Sequence, residues 1–457
     1  MTLWRTPVIK LCRRFQSSIS VHEVFQSLKE RDLVHQHTKI CAEDVPNGCS
    51  VYVGFDPTAE SLHTGNLMAM MTLLHFNRAG YQPIAVIGGA TGLVGDPSGR
   101  SSERDTLAQD TLHTNLEGIK NDLMRVFNNA KQQFPETECY KELIVLNNAS
   151  WWNQVSGVGF VADIAREVRL STLLNRDSVK LRLGSDEGMN CAEFLYPVFQ
   201  AYDFLHLCKH HNCRLQVGGA DQFVNITTGC KLVRKATGQS VHGLTLPLLT
   251  SLSGEKLSKS TGNALWLSPH KTSPFTFYQS LVNTPDQIVE RWLTYFSFLS
   301  NGEIQAIMRE HEGDPAKYVA QKCLAENVTR LVHGEDGLKK AQNATSVMFG
   351  REESTVQPLK ELTERDLVAL YSDASTTEMP LSLVGELTLA DLAIRSGAVG
   401  KVGRSVEQLV RDRALWVNLV RVASMEERVD PNTHLLAGNI TLIRIGKKSN
   451  FTMVKWR

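Results

Sequence analysis

The chain lacks long apolar runs, an excess of charge of one sign and a regular cysteine pattern. No apolar run approaches the roughly 18 residues of a membrane-spanning helix, so the sequence predicts no membrane partner. The net charge is only +1, which leaves any binding of nucleic acid to a local basic surface. The nine cysteines are odd in number and have no framework spacing, so free thiols in a reducing compartment are expected.

Acidic residues are also missing from the start of the chain, where the first is Glu23. The same segment contains four basic residues, Arg5, Lys10, Arg13 and Arg14, and several hydroxyl residues. This composition is typical of an organelle transit peptide, and its apolar stretch is too short and interrupted for a secretory signal. We expect residues 1–20 to be a transit peptide for mitochondria rather than plastids. A basic disordered N-terminus is the alternative.

Short apolar runs alternate with helical stretches between residues 50 and 267, which predicts a parallel α/β sheet. The candidate strands are residues 51–55, 84–88, 143–146, 215–217 and 244–249. Ligands of such sheets bind beyond the carboxyl ends of the strands. A more helical stretch, about 105–185, interrupts the alternation, and we expect a helical insertion there, serving as core or as a subunit interface.

Composition divides the rest of the chain. Residues 271–370 have helical periodicity, with caps at Thr284-Pro285-Asp286 and Asp314-Pro315. Residues 381–457 contain 12 Arg and Lys against 7 Asp and Glu, a local charge of +5 that is compatible with RNA binding. We therefore expect an α/β domain at 21–270, a helical domain at 271–370 and a small mildly basic domain at 381–457.

Two short motifs indicate the chemistry. The sequence Lys-Leu-Ser-Lys-Ser at 256–260 lies about 190 residues after His-Thr-Gly-Asn at 63–66. Either motif alone is a weak signal, but their order and context indicate adenylate formation, in which a carboxylate attacks the α-phosphorus of ATP and cations follow the departing pyrophosphate. His63 falls between a predicted strand and a predicted helix, where helix N-terminal N–H groups favour a triphosphate.

One cluster of residues has the side-chain types of a zinc site, namely His206, Cys208, His210, His211 and Cys213. A zinc site needs four converging ligands, usually from two separate pairs. These five lie within eight residues at the end of one predicted helix. A helix end that runs into a strand is the favoured interpretation, and zinc is the alternative.

Three further segments, 53–63, 92–100 and 218–222, follow predicted strands and carry glycine and aspartate. Together with the two motifs they resemble the bacterial-type tyrosyl-tRNA synthetases, in particular the mitochondrial members, over the whole chain after about residue 20. The resemblance implies a class I Rossmann-like catalytic domain, a helical anticodon-binding domain, an α+β S4-like RNA-binding domain, and a homodimer formed through the insertion. Phosphate-contact candidates in the S4-like part are Arg411, Arg413, Arg421, Lys447 and Lys448.

The resemblance also implies a tyrosine site. Its residues are Tyr52, Asp96, Tyr196, Gln200, Asp203 and Gln222. Tyr52 and Asp203 would hold the phenol, since buried polar groups left unpaired by phenylalanine reject it strongly. Tyr196 and Gln200 would receive the ammonium together with Asp96, and their i, i+4, i+7 spacing with Asp203 predicts one helix face.

The implied ATP-binding residues are Gly54, Asp56, His63, Asn66, Gly219, Asp221, Lys256 and Lys259, and the implied catalytic residues are Thr58, His63, Arg100, Arg104, Lys256 and Lys259. Mg²⁺ would accompany ATP without an all-protein metal site. Asn66 stands where the family most often has a second histidine, and Leu257 where methionine is common. Asparagine can still donate a hydrogen bond, but it cannot become cationic.

We therefore expect an enzyme that joins L-tyrosine to tRNA(Tyr) through tyrosyl-adenylate in the mitochondrial matrix. One alternative is a tryptophanyl-tRNA ligase, which shares the fold and the lysine loop but does not need a phenol pocket of Tyr52 and Asp203. The other is an RNA-binding or intron-splicing protein on a synthetase scaffold, in which erosion of His63, Asp221 or Lys259 would be expected.

Overall fold

The structure is a computed structural model that describes residues 19–98, 108–134, 140–174, 177–184, 188–249, 265–349, 356–371, 374–401, 404–446 and 451–457. The chain divides into two compact units. The first extends to Thr272 and includes Leu281–Gly334, and the second consists of Ser273–Ser280 and Glu335–Arg457. Among the helices of the described residues, none has both the length and the apolar character needed to cross a membrane.

A six-stranded sheet forms the centre of the first unit. Its strands are β1 (Gln36–His37), β2 (Ser50–Phe55), β3 (Gln82–Ile87), β4 (Ile144–Asn147), β5 (Cys213–Gly219) and β6 (His242–Leu246), in the order β1-β6-β5-β2-β3-β4. Strands β2 to β6 are parallel, and β1 pairs antiparallel with β6. The five predicted strands are confirmed with slightly shifted ends. Strand β1 was not predicted because its two residues are polar and exposed.

Helices cover the sheet. They are α1 (Val21–Glu30), α2 (Thr64–Arg78), α3 (Thr91–Val94), α4 (Gln109–Gln133), α5 (Ala149–Trp152), α6 (Gly157–Gly159), α7 (Leu170–Leu174), α8 (Asp177–Leu183), α9 (Cys191–His211) and α10 (Phe223–Thr237). The stretch expected to be an insertion contains β4, which pairs with β3. Helix α4 is therefore an ordinary crossover between neighbouring strands, and the helical segments that interrupt the alternation are α5 to α8.

Helix α9 is fixed at both ends by asparagine. The Asn190 side chain accepts a hydrogen bond from the Glu193 N–H at the N-terminus, and Asn212 takes a left-handed conformation (φ 48°) that ends the helix before β5. Apolar residues of α9 such as Phe204 and Leu207 pack in one core cluster with Ile84 of β3. This packing turns the polar residues of α9 toward the carboxyl ends of the strands.

Four helices follow in chain order, α11 (Pro274–Val282), α12 (Asp286–Phe296), α13 (Asn301–Gly313) and α14 (Val319–Phe349). The predicted starts at Asp286 and Pro315 are confirmed, the latter as a 3₁₀ turn. Helix α14 is broken at Gly334, whose φ of 75° suits glycine. The boundary between the units falls at this residue, inside the helical region expected at 271–370, so the domain limits proposed there stay a prediction.

The second unit contains a five-stranded mixed sheet with the order β7-β11-β10-β8-β9. Its elements are α15 (Val356–Lys360), α16 (Glu364–Leu370), β7 (Ser375–Met379), α17 (Leu389–Arg395), α18 (Val406–Arg411), β8 (Leu415–Val417), β9 (Val420–Arg421), α19 (Pro431–His434), β10 (Ile440–Ile445) and β11 (Phe451–Trp456). Two guanidinium groups flank the Trp416 ring, Arg421 at 4.5 Å and Arg444 at 4.1 Å from its centroid. The segment expected to be S4-like is thus an α+β structure with an arginine on each of the two strands that pair with β8.

The N-terminal helix is fastened to the first unit by Arg31. Its guanidinium donates to the carbonyl oxygens of Thr294 at 3.0 Å, Ser297 at 2.9 Å and Leu299 at 2.6 Å, where α12 ends. Only 7% of the Arg31 surface is exposed. These carbonyl groups have no intrahelical partner, so the guanidinium acts as a C-terminal cap supplied by another helix.

Arg31→Ala is expected to lower the free energy of unfolding of the first unit by about 2–4 kcal/mol, because buried carbonyl groups lose a charged donor. Denaturation in urea followed by tryptophan fluorescence measures the change. The control is Lys29→Ala, an exposed substitution on the same helix that should stay within about 0.5 kcal/mol of the wild type. Equal effects of the two substitutions would refute the capping role.

Candidate active site

The candidate site lies at the carboxyl ends of β2 and β5. Strands β3 and β4 continue the sheet on one side of β2, and β5 and β6 continue it on the other. This reversal of strand order is where ligands of open α/β sheets bind. Gly54, near the end of β2, is exposed, and a Cβ placed on it would meet no atom within 4 Å. The backbone of β2 is therefore open to a ligand at this point.

His63 is the N-cap of α2, as the sequence predicted. Its Nδ1 accepts a hydrogen bond from the Gly65 N–H at 3.1 Å, and the Asn66 Oδ1 accepts from the His63 N–H at 3.1 Å. Because Nδ1 is an acceptor, the proton of a neutral ring lies on Nε2. The His63 side chain is thus held as an Nε2 donor beside the N-terminus of a helix, an arrangement suited to phosphate.

The residues that follow the lysine motif are joined to the His63 loop. The Thr64 N–H donates to the Leu265 carbonyl at 3.0 Å, and the Leu267 N–H donates to the Leu62 carbonyl at 2.8 Å. The ring of Trp266 lies edge-on to that of His63, with centroids 6.0 Å apart. Four predicted catalytic residues, Arg100, Arg104, Lys256 and Lys259, lie outside the described residues.

Asp203 is a buried carboxylate held by three donors. One oxygen accepts from the indole N–H groups of Trp151 at 2.8 Å and Trp152 at 2.7 Å. The other accepts from the Asn148 amide at 3.0 Å. Burial raises the pKa of Asp203 to about 7, while the three hydrogen bonds oppose that rise and the charge of Asp56 adds to it. The carboxyl is fixed in place and titrates near neutral pH.

Tyr52 of β2 is the second polar group of this pocket. Its hydroxyl is buried and has no hydrogen-bond partner within the residues that the structure describes. Burial, and then the charge of Asp203, raise the pKa of Tyr52 well above its usual value. A neutral hydroxyl of this kind, next to a carboxylate, can bind a ligand group that both donates and accepts hydrogen bonds, such as a phenol.

A chain of hydrogen bonds extends from this pocket along its floor. The Asn148 amide also donates to the Thr91 hydroxyl at 3.1 Å, and Thr91 donates to Asp56 at 3.0 Å. The Tyr196 hydroxyl donates to the other oxygen of Asp56 at 3.0 Å. The loops after β2, β3 and β4 are therefore linked to α9 through side chains.

A second network joins the remaining predicted residues. The Gln222 amide donates to Asp96 at 2.7 Å, and the Asn225 amide donates to the side-chain oxygens of Gln222 at 3.0 Å and Gln200 at 3.1 Å. The Ser98 N–H donates to the other Asp96 oxygen at 2.9 Å. Two predicted substrate-binding amides are thus oriented by Asn225, which is fully buried.

The end of β5 carries the two residues predicted to hold the nucleoside. A Cβ on Gly219 would lie only 2.6 Å from the Asp221 Oδ1, so glycine is needed for this carboxylate to sit close to the backbone. In the loop after β2, the Thr58 N–H donates to the Asp56 carbonyl at 2.8 Å. The described candidates therefore lie on β2, on α9, at the start of α2 and in the loops that follow β2, β3 and β5.

The five metal-binding residue types at 206–213 do not converge. His206 stacks on Trp151, with centroids 4.4 Å apart, and Cys208 contacts the Gln239 side chain. Cys213 lies inside β5. No three His, Cys, Asp or Glu side chains gather into a metal site within the described ranges, and each cysteine there is a free thiol.

Comparison with known proteins identifies the family. Residues 47–350 match the model of class I tRNA synthetases for tryptophan and tyrosine. The mitochondrial tyrosine–tRNA ligase of Drosophila melanogaster is 42% identical over 413 residues, which cover 89% of this chain and 88% of that protein. The chain belongs to the tyrosine–tRNA ligases. Members of this family act on tyrosine, ATP and tRNA.

Other relatives of the ligase agree. The tyrosine–tRNA ligase of Anaeromyxobacter dehalogenans is 39% identical over 438 residues, 96% of this chain and 100% of that protein. A C-terminally truncated mitochondrial tyrosyl-tRNA synthetase of Aspergillus nidulans superposes with a TM-score of 0.65 at 31% identity, covering 71% of this chain and 94% of that one. The fold class and the enzyme class predicted from the sequence are confirmed.

Sequence reasoning missed the residues that support the site of the ligase, namely Thr91, Asn148, Trp151, Trp152 and Asn225. The adjacent tryptophans were visible in the sequence, but a tryptophan pair usually indicates core packing. Their indole N–H groups reach a carboxylate about 50 residues away along the chain, and no local pattern signals such a contact.

Asp203→Asn is expected to change how the stability of the ligase depends on pH. A folded-state pKa of about 7, above the usual value of 3.8 for an aspartate, means that the folded protein binds this proton more tightly than the unfolded chain. Wild-type stability therefore falls as pH rises from about 4 to 7, and the melting temperature of the variant relative to wild type should rise over that interval.

Glu60→Gln serves as the control, because a hydrogen bond from Lys271 lowers the pKa of the exposed Glu60 carboxyl. Its relative melting temperature should move in the opposite direction or stay constant. A difference between Asp203→Asn and wild type that is the same at pH 5 and pH 7.5 would contradict the raised pKa.

Proposed function

We propose that this ligase works in the mitochondrial matrix and charges tRNA(Tyr) in two steps at the site described above. L-tyrosine and ATP give tyrosyl-adenylate and pyrophosphate, and the tyrosyl group then passes to the 3′-terminal ribose of the tRNA. The observation that carries this proposal is a pair of buried groups, a fixed carboxylate on Asp203 and a Tyr52 hydroxyl that has no partner among the described residues.

The phenol of tyrosine would donate to Asp203 and accept from the Tyr52 hydroxyl. Phenylalanine would leave the buried Tyr52 hydroxyl without a partner and would deprive the Asp203 carboxylate of the phenol as a further donor. Each lost hydrogen bond would cost about 1–3 kcal/mol. The substrate ammonium would lie among Asp96, Tyr196 and Gln200, which supply an anion and two oxygen acceptors. The hydrogen bonds that hold Asp96, Tyr196 and Gln200 in place support this proposal.

ATP would bind with its ribose hydroxyls on Asp221, close to Gly219, and with its phosphates near the loop of Gly54, Asp56 and Thr58. The His63 Nε2–H would donate to a phosphate oxygen, and the Asn66 amide would support it. The substrate carboxylate oxygen, placed near Gln222, attacks the α-phosphorus, and the bond to the bridging oxygen of pyrophosphate breaks.

The leaving pyrophosphate gains negative charge. We assign the stabilisation of that charge to four cationic residues, Arg100, Arg104, Lys256 and Lys259. Mg²⁺ would bind the phosphates of ATP itself. In the second step the ribose hydroxyl of the tRNA attacks the carbonyl of the adenylate and AMP departs. We assign tRNA binding to the helical segment 271–370 and the basic segment 381–457. The phosphate-contact candidates are Arg411, Arg413 and Arg421, together with Lys447 and Lys448, which lie outside the described residues.

The mitochondrial location is supported by relatives that are named mitochondrial enzymes, such as those of Drosophila melanogaster and Homo sapiens. The composition of residues 1–20, which lie almost wholly outside the described residues, is the second support. A fusion of residues 1–20 to a fluorescent protein should enter mitochondria. Retention of the fusion in the cytosol would contradict the matrix assignment.

Amino-acid-dependent exchange of labelled pyrophosphate into ATP tests the activation step, with each of the twenty amino acids in turn. Exchange with tyrosine alone is the expected result. Exchange with tryptophan would instead indicate a tryptophanyl-tRNA ligase. The absence of exchange with any amino acid would favour the RNA-binding alternative. Charging of tRNA(Tyr) transcripts then tests the second step.

Tyr52→Phe is expected to lower the preference for tyrosine over phenylalanine by roughly fivefold to a hundredfold, because one of two hydrogen bonds to the phenol is lost. The ratio of kcat/KM values in pyrophosphate exchange gives the preference. Tyr81→Phe is the matched control, since Tyr81 is a buried tyrosine of the same unit whose hydroxyl bonds to Asn47. An unchanged preference in Tyr52→Phe would exclude the hydroxyl from phenol recognition.

We further propose that two copies of the chain pair through the segment α6 to α8. This segment exposes large apolar side chains, Val158 at 79%, Val161 at 63%, Leu170 at 60%, Leu174 at 40% and Leu183 at 55%. Val158 and Val161 also line a shallow groove with Gly157, Ala162 and Ala165. Such a concentration of exposed apolar surface is typical of a contact with another chain, and a symmetric dimer is the commonest form.

Val161→Glu is expected to convert the dimer to a monomer in analytical ultracentrifugation at micromolar concentration, because a charge would be buried in the interface. Val420→Glu, at a valine of similar exposure (50%) in the second unit, should leave the dimer intact. A monomeric wild type, or a dimer that survives Val161→Glu, would refute this interface.

A further inference from the structure

Helix α4 carries an ion pair beside the His63 loop, between a buried carboxylate and a partly exposed arginine. Asp122 is 1% exposed, and the Arg125 Nη2 donates to its Oδ1 at 2.6 Å. The two residues are separated by one helical turn, so they share a face of α4. The charge of a buried carboxylate has to be compensated by hydrogen-bond donors. The segments that supply these donors are the ones that Asp122 holds in place.

The other oxygen of Asp122 binds the residues directly before His63. Its Oδ2 accepts from the Ser61 hydroxyl at 2.7 Å and from the Leu62 N–H at 2.9 Å. The Ser61 hydroxyl oxygen in turn accepts from the Ser268 N–H at 3.0 Å. Asp122 therefore fixes the backbone of the two residues that precede His63.

Arg125 joins this loop to two more segments. Its Nη2 also donates to the Leu267 carbonyl at 2.8 Å, and Leu267 is itself bonded to Leu62. Its Nε donates to the Val332 carbonyl at 3.0 Å, close to where the first part of α14 ends at Gly334. One guanidinium thus contacts the carboxylate, the segment 265–267 that is hydrogen-bonded to the His63 loop, and the end of a helix.

Capping of α14 alone does not account for this arrangement. Asn129, one turn further along α4, donates to the neighbouring Leu331 carbonyl at 3.0 Å and so caps the same helix end. The hydrogen bonds recorded for Asn129 do not involve the His63 loop. Arg125 differs from Asn129 in its contacts with Asp122 and Leu267, so these two contacts require a separate explanation.

We propose that Arg125, acting through Asp122, is a positioning residue for adenylate formation that sets the His63 loop against ATP. The inference rests on the role of His63 proposed above. The guanidinium fork can hold Asp122, Leu267 and Val332 at once, whereas the single ammonium of a lysine cannot. Loss of the fork leaves Asp122 buried without its cation, and the Ser61–Leu62 backbone shifts with it.

The test compares Arg125→Met, Arg125→Lys and Asn129→Ala in the full chain. Pyrophosphate exchange gives kcat and the KM for ATP, equilibrium dialysis gives the Kd for tyrosine without ATP, and calorimetry gives Tm. Arg125→Met should lower kcat/KM for ATP by roughly tenfold to a hundredfold, since small misplacements of catalytic groups have effects of that size. The Kd for tyrosine should change less than about twofold, because Tyr52 and Asp203 are not touched.

Arg125→Lys should restore part of the exchange rate, and Asn129→Ala should keep it near wild type even where its Tm falls. If Arg125→Met does not fold, Ser61→Ala replaces it, with an expected loss of roughly two- to tenfold in kcat/KM for ATP. A similar loss of exchange in Asn129→Ala, a parallel loss of tyrosine binding, or full activity of both Arg125→Met and Ser61→Ala would overturn the proposal. Absence of exchange in the wild type would instead overturn the proposed function, and the positioning role with it.

Discussion

The burial of one carboxylate on α9 constrains the rest of the site. Asp203 sits among aromatic and aliphatic side chains, where an ionised group is stable only with several donors. Those donors come from one short segment, Asn148 to Trp152, which therefore has to lie directly against α9. The edge strand β4 and helix α5 take their places in the fold because they present these donors.

From Asp203 the hydrogen bonds extend to the loops after β2, β3 and β4, and a second network joins the loops after β3 and β5 to α9. In the first network Asn148 donates to Thr91, which donates to Asp56. In the second, Asn225 donates to Gln222 and Gln200, and Gln222 donates to Asp96. Buried polar groups need partners, so a shift in one loop leaves others unsatisfied. Within each network the loops therefore hold one another in place, and in the proposed function this order supports discrimination of the substrate by hydrogen bonds.

The sequence predicted the elements of the first unit well and their side-chain contacts poorly. Apolar runs identified strands β2 to β6, and the strand, loop and helix around His63 followed from local signals. Strand β1 has no apolar run and depends on pairing with β6, some 200 residues away. The break at Gly334 was not foreseen, since helical periodicity continues on both sides of it. Contacts such as that of Trp152 with Asp203 depend on tertiary packing that local patterns do not encode.

The proposed function depends on recognition of the substrate phenol by Asp203 and Tyr52 together. A crystal structure of the ligase with bound L-tyrosine would show whether they make this contact. We expect a phenol oxygen within hydrogen-bond distance of both the Tyr52 hydroxyl and the Asp203 carboxylate, with the indole contacts of Trp151 and Trp152 retained. A phenol oxygen that contacts neither residue, or an Asp203 side chain turned away from the ligand, would contradict it.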